Sequence, residues 1–297
     1  MDTSEYIRIA DYNDIENITE FIRKNIKENR FYFDFEENGE NSYKIYKEEY
    51  VKDLINKGDI ILLYIIYNYI AGLSHWTYKG GILYNVYTVV DSNYSNKGIA
   101  KKLYYYFLQK DIPIATDFVV YLPTSSKIFR IWENYGIRIS GFASSFIYRD
   151  NENNLYTTII GHRSNDKVLE LKIPKYSEEF FKKLCILNNL DCKIHSFEHK
   201  RKENNEKYPK LIYTTNMEEY EEKGYYLTGF LYNNGQVIYA YSSKVHKNVK
   251  EPIKKFFNDL GQEEMKRAIL EYIDNLYTLW VLIRLWCIMK KKKLYFC

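Results

Sequence analysis

The sequence predicts an α/β fold, a mixed sheet with helices packed on it, and three observations carry that expectation. Short β-branched and aromatic runs alternate with segments whose apolar residues recur at helical spacing. Two runs, residues 60–67 and 69–77, are joined by too little chain for anything but a tight hairpin. A third run, residues 86–90, passes through a polar turn at 91–95 to Gly98-Ile99-Ala100 and a helical pattern. At such a junction the unpaired N–H groups of the first helical turn and the helix dipole favour an anion.

In order, residues 6–9 read as the opening strand. Asp11 or Asn13 then caps a helix whose Ile15, Ile18, Phe21, Ile22 and Ile26 form a stripe for a core. Residues 28–42 are polar and acidic with Phe31, Phe33 and Phe35 alternating, and suit a loop over a ligand cleft. A second helix over 42–56 ends near Gly58. The hairpin follows, and a turn at Gly80-Gly81 leads into a strand over 82–90. After a helix over 98–109 come an apolar run at 114–121, a helix begun by Ser125 or Ser126 that ends before Gly136, and a strand over 137–147. Residues 156–160 extend or pair with that strand. The order is β-α-α-β-β-β-α-β-α-β.

A length of 297 residues suits two domains, and the boundary is placed near residue 165, giving 1–165 and 166–297. With 28% charged and 46% hydrophobic residues the chain has the means to bury real cores and is not disordered. Tyrosine is so abundant, at 32, that a single Tyr carries little weight by its type alone. The net charge is +4; residues 1–165 hold 19 basic and 21 acidic side chains and residues 166–297 hold 24 and 18, so no nucleic-acid footprint stands out. The cysteines at 185, 192, 287 and 297 read as too few and too scattered for a disulfide framework, and no signal segment opens the sequence. The expected compartment is a reducing cytoplasm.

The run Tyr94-Ser95-Asn96-Lys97-Gly98-Ile99-Ala100-Lys101-Lys102-Leu103, in this element order, resembles the acyl-CoA pyrophosphate loop of the GNAT N-acetyltransferase superfamily. That loop reads Gln/Arg-x-x-Gly-x-Gly/Ala after a strand. The resemblance covers about residues 5–150 and extends to Gly136-Ile137, where the family has Gly-Phe. It implies a GNAT-like acyl-CoA N-acyltransferase fold, acetyl-CoA as cosubstrate without a metal, and a primary amine of a small molecule or peptide as acceptor. The resemblance further implies that the backbone N–H groups of Asn96, Lys97, Gly98, Ile99, Ala100 and Lys101 hold the pyrophosphate, with Ser95 at the family's Gln/Arg position. Thr88, Val89 and Val90 would pair with the pantetheine amides, and the acyl group would enter a gap between this strand and the one at 114–121. The chemistry needs a base for the incoming ammonium and an acid for the departing thiolate. The family's acid is a Tyr four residues before the glycine. That position is Trp132 here, which has no useful proton to give, and Tyr135 lies three residues further on. Candidate bases are Asp117 and His75, each of which also has a structural reading as a hydrogen bonder or a sheet histidine. A CoA-sensing or scaffold protein that keeps the fold without the chemistry is the alternative.

In the second half, residues 168–173 read as a strand and Pro174 starts a helix with Phe180, Phe181, Leu184 and Leu187 inward. Residues 198–208 read as a charged, mobile loop. Residues 132–142 match residues 220–230: Glu133 with Glu221, Gly136 with Gly224, Ser140 with Thr228, Gly141 with Gly229 and Phe142 with Phe230. The match is either a shortened internal repeat lacking the Gly98 loop or two generic junctions at which a glycine ends a helix before a strand. Cys192-x2-His195-x3-His199 has ligand-like spacing but no fourth partner, and reads as surface residues rather than zinc ligands. The apolar tail at 276–289, interrupted by Arg284 and followed by Lys290–Lys293, is too short to span a bilayer, which takes about 20 residues. It reads as a helix packed on the second domain, or as a basic-aromatic anchor with weak membrane contact.

Overall fold

The computed structural model of the chain describes residues 5–25, 47–79, 82–109, 117–123, 129–130, 133–134, 136–143, 158–163, 168–198, 201–204, 206, 211–233, 236–245 and 249–294. It has the mixed α/β composition the sequence predicts. The chain divides into two units, residues 1–121 with 148–154 and residues 122–147 with 155–297. The edge between these units does not fall at residue 165: residues 138–143 group with the later segment, where Gly141 pairs opposite Gly229.

In the first unit β1 (Glu5–Ile9), β2 (Ile60–Ile66), β3 (Tyr69–Lys79) and β4 (Ile82–Val90) form an antiparallel meander, and β5 (Asp117–Pro123) joins β4 in parallel. The two-residue hairpin turn is Tyr67-Asn68, with φ of 48° and 66°, the doubly left-handed geometry whose twist matches that of paired strands. Asp11 caps the turn before α1 (Ile15–Asn25), accepting from the Asn13 N–H at 2.8 Å, while Asp14 accepts from the Asp11 N–H at 2.9 Å. Helix α1 and α2 (Glu48–Asn56) cover one face of the sheet: Ile18, Phe21, Ile22, Val51 and Leu54 pack on Ile61, Leu63, Ile65, Leu73 and Tyr87. Helix α3 (Ile99–Gln109) covers the opposite face, where Trp76 of β3 meets Tyr104 edge-on at 4.9 Å. Ile26, the 28–42 loop, Gly80 and Gly81 lie outside the described residues, as does most of the expected helix over 125–135, of which residues 129–130 and 133 are helical.

In the second unit β6 (Arg138–Ala143) pairs with β7 (Thr158–Arg163), and β11 (Tyr226–Asn233) pairs with β12 (Gln236–Ser242), which also takes β10 (Leu211–Thr214). A parallel pair, β8 (Val168–Pro174) and β9 (Asp191–Phe197), is linked by α4 (Glu178–Leu187). After α5 (Met217–Glu222) and β12 come α6 (Lys250–Leu260) and α7 (Glu263–Leu294). The core is aromatic. Phe180 stacks on Tyr272 at 4.0 Å, and Phe142 and Phe230 reach the same cluster, at 6.2 Å from Phe180 and 5.9 Å from Phe181.

The matched segments coincide in structure as well as in residue type. Gly136 and Gly224 take φ of 80° and 74°, the left-handed conformation that ends a helical turn. In β6–β7 the register slips between Ile139 and Gly141, leaving Ser140 as the extra residue; in β11–β12 it slips between Leu227 and Gly229, leaving Thr228. Both bulge hydroxyls donate across their own hairpin, Ser140 to the Ile160 carbonyl at 3.5 Å and Thr228 to the Ala240 carbonyl at 3.3 Å. The two hairpins meet where β6 and β11 pair, Gly141 opposite Gly229.

Two expectations for the second half are overturned. Cys185 and Cys192 form a disulfide, with Cα atoms 6.2 Å apart, because the turn at Asn188-Asn189 folds β9 back against the end of α4. The count of cysteines could not reveal that pairing, and it removes Cys192 from any ligand set. The charged 198–208 segment is not simply a solvated loop either. The Arg201 side chain is only 5 % exposed and bridges to the fully buried Glu221 at 3.3 Å. Its guanidinium lies over Tyr226 at 4.2 Å and Tyr176 at 4.8 Å and also donates to the Tyr225 carbonyl.

Candidate functional site

The end of β4 and the start of α3 are held in place by two features the sequence reading did not single out. The first is Asp91, 4 % exposed, whose N–H donates to the Ala71 carbonyl at 3.0 Å and whose carboxylate accepts from the Asn93 N–H at 2.9 Å. Lys24 of α1 donates to the same carboxylate at 2.8 Å and, with the Asn93 N–H, holds it below the ordinary carboxylate range. The acid nearest the turn is therefore already neutralised. The second is Gly72 on β3: a Cβ there would stand 2.6 Å from Cγ2 of Ile99 and 3.3 Å from Cδ1 of Leu103. Its bare backbone lets the first turn of α3 sit directly on the sheet.

Between Asp91 and α3 the chain makes a 3-10 turn, Ser92–Tyr94, then passes through Asn96 at φ 64° and Gly98 at φ 74°. The first bond of the helix runs from the Lys102 N–H to the Gly98 carbonyl at 2.9 Å. The N–H groups of Ile99, Ala100 and Lys101 are thus left without intrahelical acceptors at a helix N-terminus. The place where a Gly98 Cβ would stand is open space, with nothing within 4 Å. Lys97 and Lys101 are exposed and lie over the rings of Tyr94 and Tyr105, and Lys97 also helps hold the Glu5 carboxyl below its ordinary range. Ser95 turns its hydroxyl inward, donating to the Ser92 carbonyl at 2.9 Å. Residues Asn96 to Lys101 therefore combine free backbone donors, a helix dipole, two cations and open room, which is what a pyrophosphate needs.

The pairing beside β4 is short. β4 and β5 pair from Ile82 opposite Asp117 to Asn85 opposite Val120, and no rung follows among the described residues. At the same point β4 bulges, with a register shift against β3 between His75 and Trp76. Thr88, Val89 and Val90 keep their pairing to Ser74, Leu73 and Gly72 on β3, and among the described residues no strand pairs with their opposite edge. Asn85, 2 % exposed, anchors the bulge: its amide donates to Ser74 Oγ at 3.1 Å, to the His75 carbonyl at 3.3 Å and to Thr88 Oγ1 at 3.3 Å, and Ser74 and Thr88 share a hydroxyl bond of 2.7 Å. A lone Asn in a strand was the available signal, and the sequence reading passed over it.

The nominated bases do not gather at this gap. His75 is 2 % exposed; its Nε2 is bonded to Asp59 at 2.8 Å and its ring meets Tyr87 edge-on at 5.1 Å, on the sheet face that α1 and α2 cover. Asp117 begins β5 at the paired end, three residues before the last rung, which at ~3.3 Å per residue is roughly 10 Å away. Tyr135 and Trp132 lie outside the described residues.

The element order, the parallel β4–α3–β5 crossover, the short β4–β5 pairing and the glycine turn are the features that the GNAT resemblance implies. No family model matches the chain, and no curated protein matches it. Solved structures of N-acetyltransferases do. The ribosomal-protein-S18-alanine N-acetyltransferase of Escherichia coli is 10% identical with a TM-score of 0.44, over 54% of this chain and 92% of its own. A GNAT-family acetyltransferase of Streptococcus pneumoniae is 16% identical with a TM-score of 0.43, over 54% and 99%. Arabidopsis thaliana NAA60, solved in complex with acetyl-CoA, is 15% identical with a TM-score of 0.41, over 54% and 97%.

Proposed function

We propose that the protein is an acyltransferase that moves the acetyl group of acetyl-CoA to a primary amine. The observation that supports this best is the turn at residues 96–101, with its unpartnered helix-start donors, open space at Gly98 and, alongside, a β4 edge that no described strand pairs. In this reading Asn96 to Lys101 bind the pyrophosphate through backbone N–H groups, Lys97 and Lys101 add charge, and Thr88 to Val90 offer backbone groups to the pantetheine amides. The bound thioester supplies an activated acyl group: the amine nitrogen forms the new bond to its carbonyl carbon, the C–S bond breaks, and the thiol carries off a proton. Because a thiol has a pKa of about 8.5, water suffices to reprotonate the leaving group. Acyl transfer then runs within a ternary complex, since none of the cysteines precedes residue 185. His75 and Asp117 are retained as the candidates for taking the ammonium proton, and Tyr135 as the candidate acid for the thiolate. In this reading residues 166–297 hold a shortened copy of the fold of residues 1–165, with 220–230 matching 132–142 and no Gly98 loop, so one CoA binds per chain.

A second reading has its own support. His75 is bonded to Asp59 and Asp117 starts at the paired end of β5, so neither nominated base lies free at the gap. That favours a protein that binds acyl-CoA as a sensor or scaffold. Release of free CoA thiol, followed against a panel of amines, separates the two. Saturable turnover on any amine supports the enzyme, and tight acetyl-CoA binding without turnover supports the sensor.

A further inference from the structure

The outward face of α7 changes chemistry part-way along the helix. In its first half Met265, Ala268, Ile269, Tyr272, Ile273 and Leu276 are buried at helical spacing. The opposite face there is polar and exposed: Glu264, Arg267, Glu271, Asp274, Asn275 and Thr278. Continued by the same i, i+3, i+4 steps, that outward line runs into Leu282, Leu285, Trp286 and Met289, which are 58%, 51%, 50% and 59% exposed, with Ile288 beside them at 45%. A line that faces water for four turns thus becomes apolar over its last turns, while the helix continues to Leu294.

We propose that this end of α7 docks the protein onto an anionic lipid surface. Charge selects the occupant. No Asp or Glu follows Asp274, whereas Arg284 and Lys290, Lys291, Lys292 and Lys293 bring five cations to the same stretch. A second copy of the chain would bring the same positive charges to the contact, whereas anionic headgroups oppose them. Length selects the mode. The apolar stretch at 276–289 is about 21 Å of helix at 1.5 Å per residue, short of the ~30 Å hydrocarbon core, and no described helix is long and apolar enough to cross a membrane. The helix end therefore lies in the interface, with Leu282, Leu285 and Met289 toward the acyl chains.

The test is flotation of the full chain with phosphatidylcholine vesicles, with and without phosphatidylglycerol, beside the variants L285E/M289E and Lys290–293→Gln. Both variants alter exposed or terminal positions, and unchanged melting confirms their fold. The wild type is expected to float with anionic vesicles and to be released at ~1 M salt, where the Debye length is about 3 Å. L285E/M289E is expected to stay at the bottom. The glutamine variant is expected to lose partitioning roughly several hundred-fold, at about five-fold per lysine. Equal flotation with neutral vesicles, no flotation at all, or flotation untouched by L285E/M289E each overturns the proposal. So does a concentration-dependent dimer that L285E/M289E breaks while no vesicle binds. Wild-type tryptophan emission gives a check free of variants: a blue shift on anionic vesicles supports the docking, and an unchanged spectrum contradicts it.

Discussion

Replacing Gly141 by alanine probes the junction between the two matched hairpins with one methyl group. On Gly141 a Cβ would lie 2.3 Å from the Thr228 carbonyl oxygen and 2.4 Å from Cα of Gly229; on Gly229 it would lie 2.9 Å from the Ser140 carbonyl oxygen and 3.1 Å from Cα of Gly141. All four neighbours are backbone atoms, so no rotamer change relieves either clash. To restore ordinary contact near 3.4 Å, β6 and β11 must part by about 1 Å for the first substitution and by about half that for the second. Overpacking a well-filled site costs about 1–3 kcal/mol. Gly141→Ala belongs at or above the top of that range, at ~3 kcal/mol, and Gly229→Ala near ~1 kcal/mol. For a unit of this size each kcal/mol moves the melting temperature by about 2–4 °C, so the expected losses are roughly 6–12 °C and 2–4 °C. Calorimetry on the two single variants measures both. The reasoning fails if Gly141→Ala melts with the wild type, or if Gly229→Ala is the more damaging of the two.

Two further outcomes are expected. Burial lowers the pKa of His162 to about 3, so its imidazole is neutral in the fold and takes up a proton near 6.5 when the chain unfolds. The stability that this group protects is fully present above pH 6.5 and falls with pH below it, by about 2 kcal/mol at pH 5. Urea unfolding from pH 8 to pH 5 should show this slope, and His162→Met should flatten it; an equal slope in both proteins would contradict the assignment. The Arg201–Glu221 pair is buried on both sides. Arg201→Met leaves the buried Glu221 carboxylate without its counter-ion, with hydroxyl donors such as Tyr176 at 2.9 Å in its place, and is expected to cost about 3–5 kcal/mol, whereas Arg201→Met with Glu221→Leu recovers most of it. A double variant less stable than Arg201→Met refutes this account of the pair.

Much of the first unit was legible because its signals are local. The stripe of Ile15, Ile18, Phe21 and Ile22 names both the helix and its buried face, and the short link between two apolar runs admits only the Tyr67-Asn68 turn. Gly98 stands out because a glycine between a strand and a helix marks a place where positive φ costs little, and it takes φ 74° just before α3. What escaped depends on neighbours distant in sequence. Gly72 matters only because Ile99 lies on it, and Asn85 only because Ser74 and Thr88 converge there. Arg201 sits in a run of charges that reads as solvated until Tyr176, Tyr226 and Glu221 close around it. Cys185 and Cys192 pair because a turn brings α4 and β9 together, which composition does not record. The repeat was visible as residues, but its shared bulge and shared hydroxyl bond appear only in the register.

Titration calorimetry of acetyl-CoA into the wild type and Gly98→Glu tests the central claim most directly. The Gly98 Cβ position meets no protein atom within 4 Å, so the variant keeps its neighbours while it places a carboxylate in the cradle and strains a residue at φ 74°. The prediction is one saturable site per chain in the wild type, and no measurable binding in Gly98→Glu, which stays folded and melts about 2–8 °C lower for the ~1–2 kcal/mol of left-handed strain. Equal affinity in the two proteins, or two sites per chain, would contradict it.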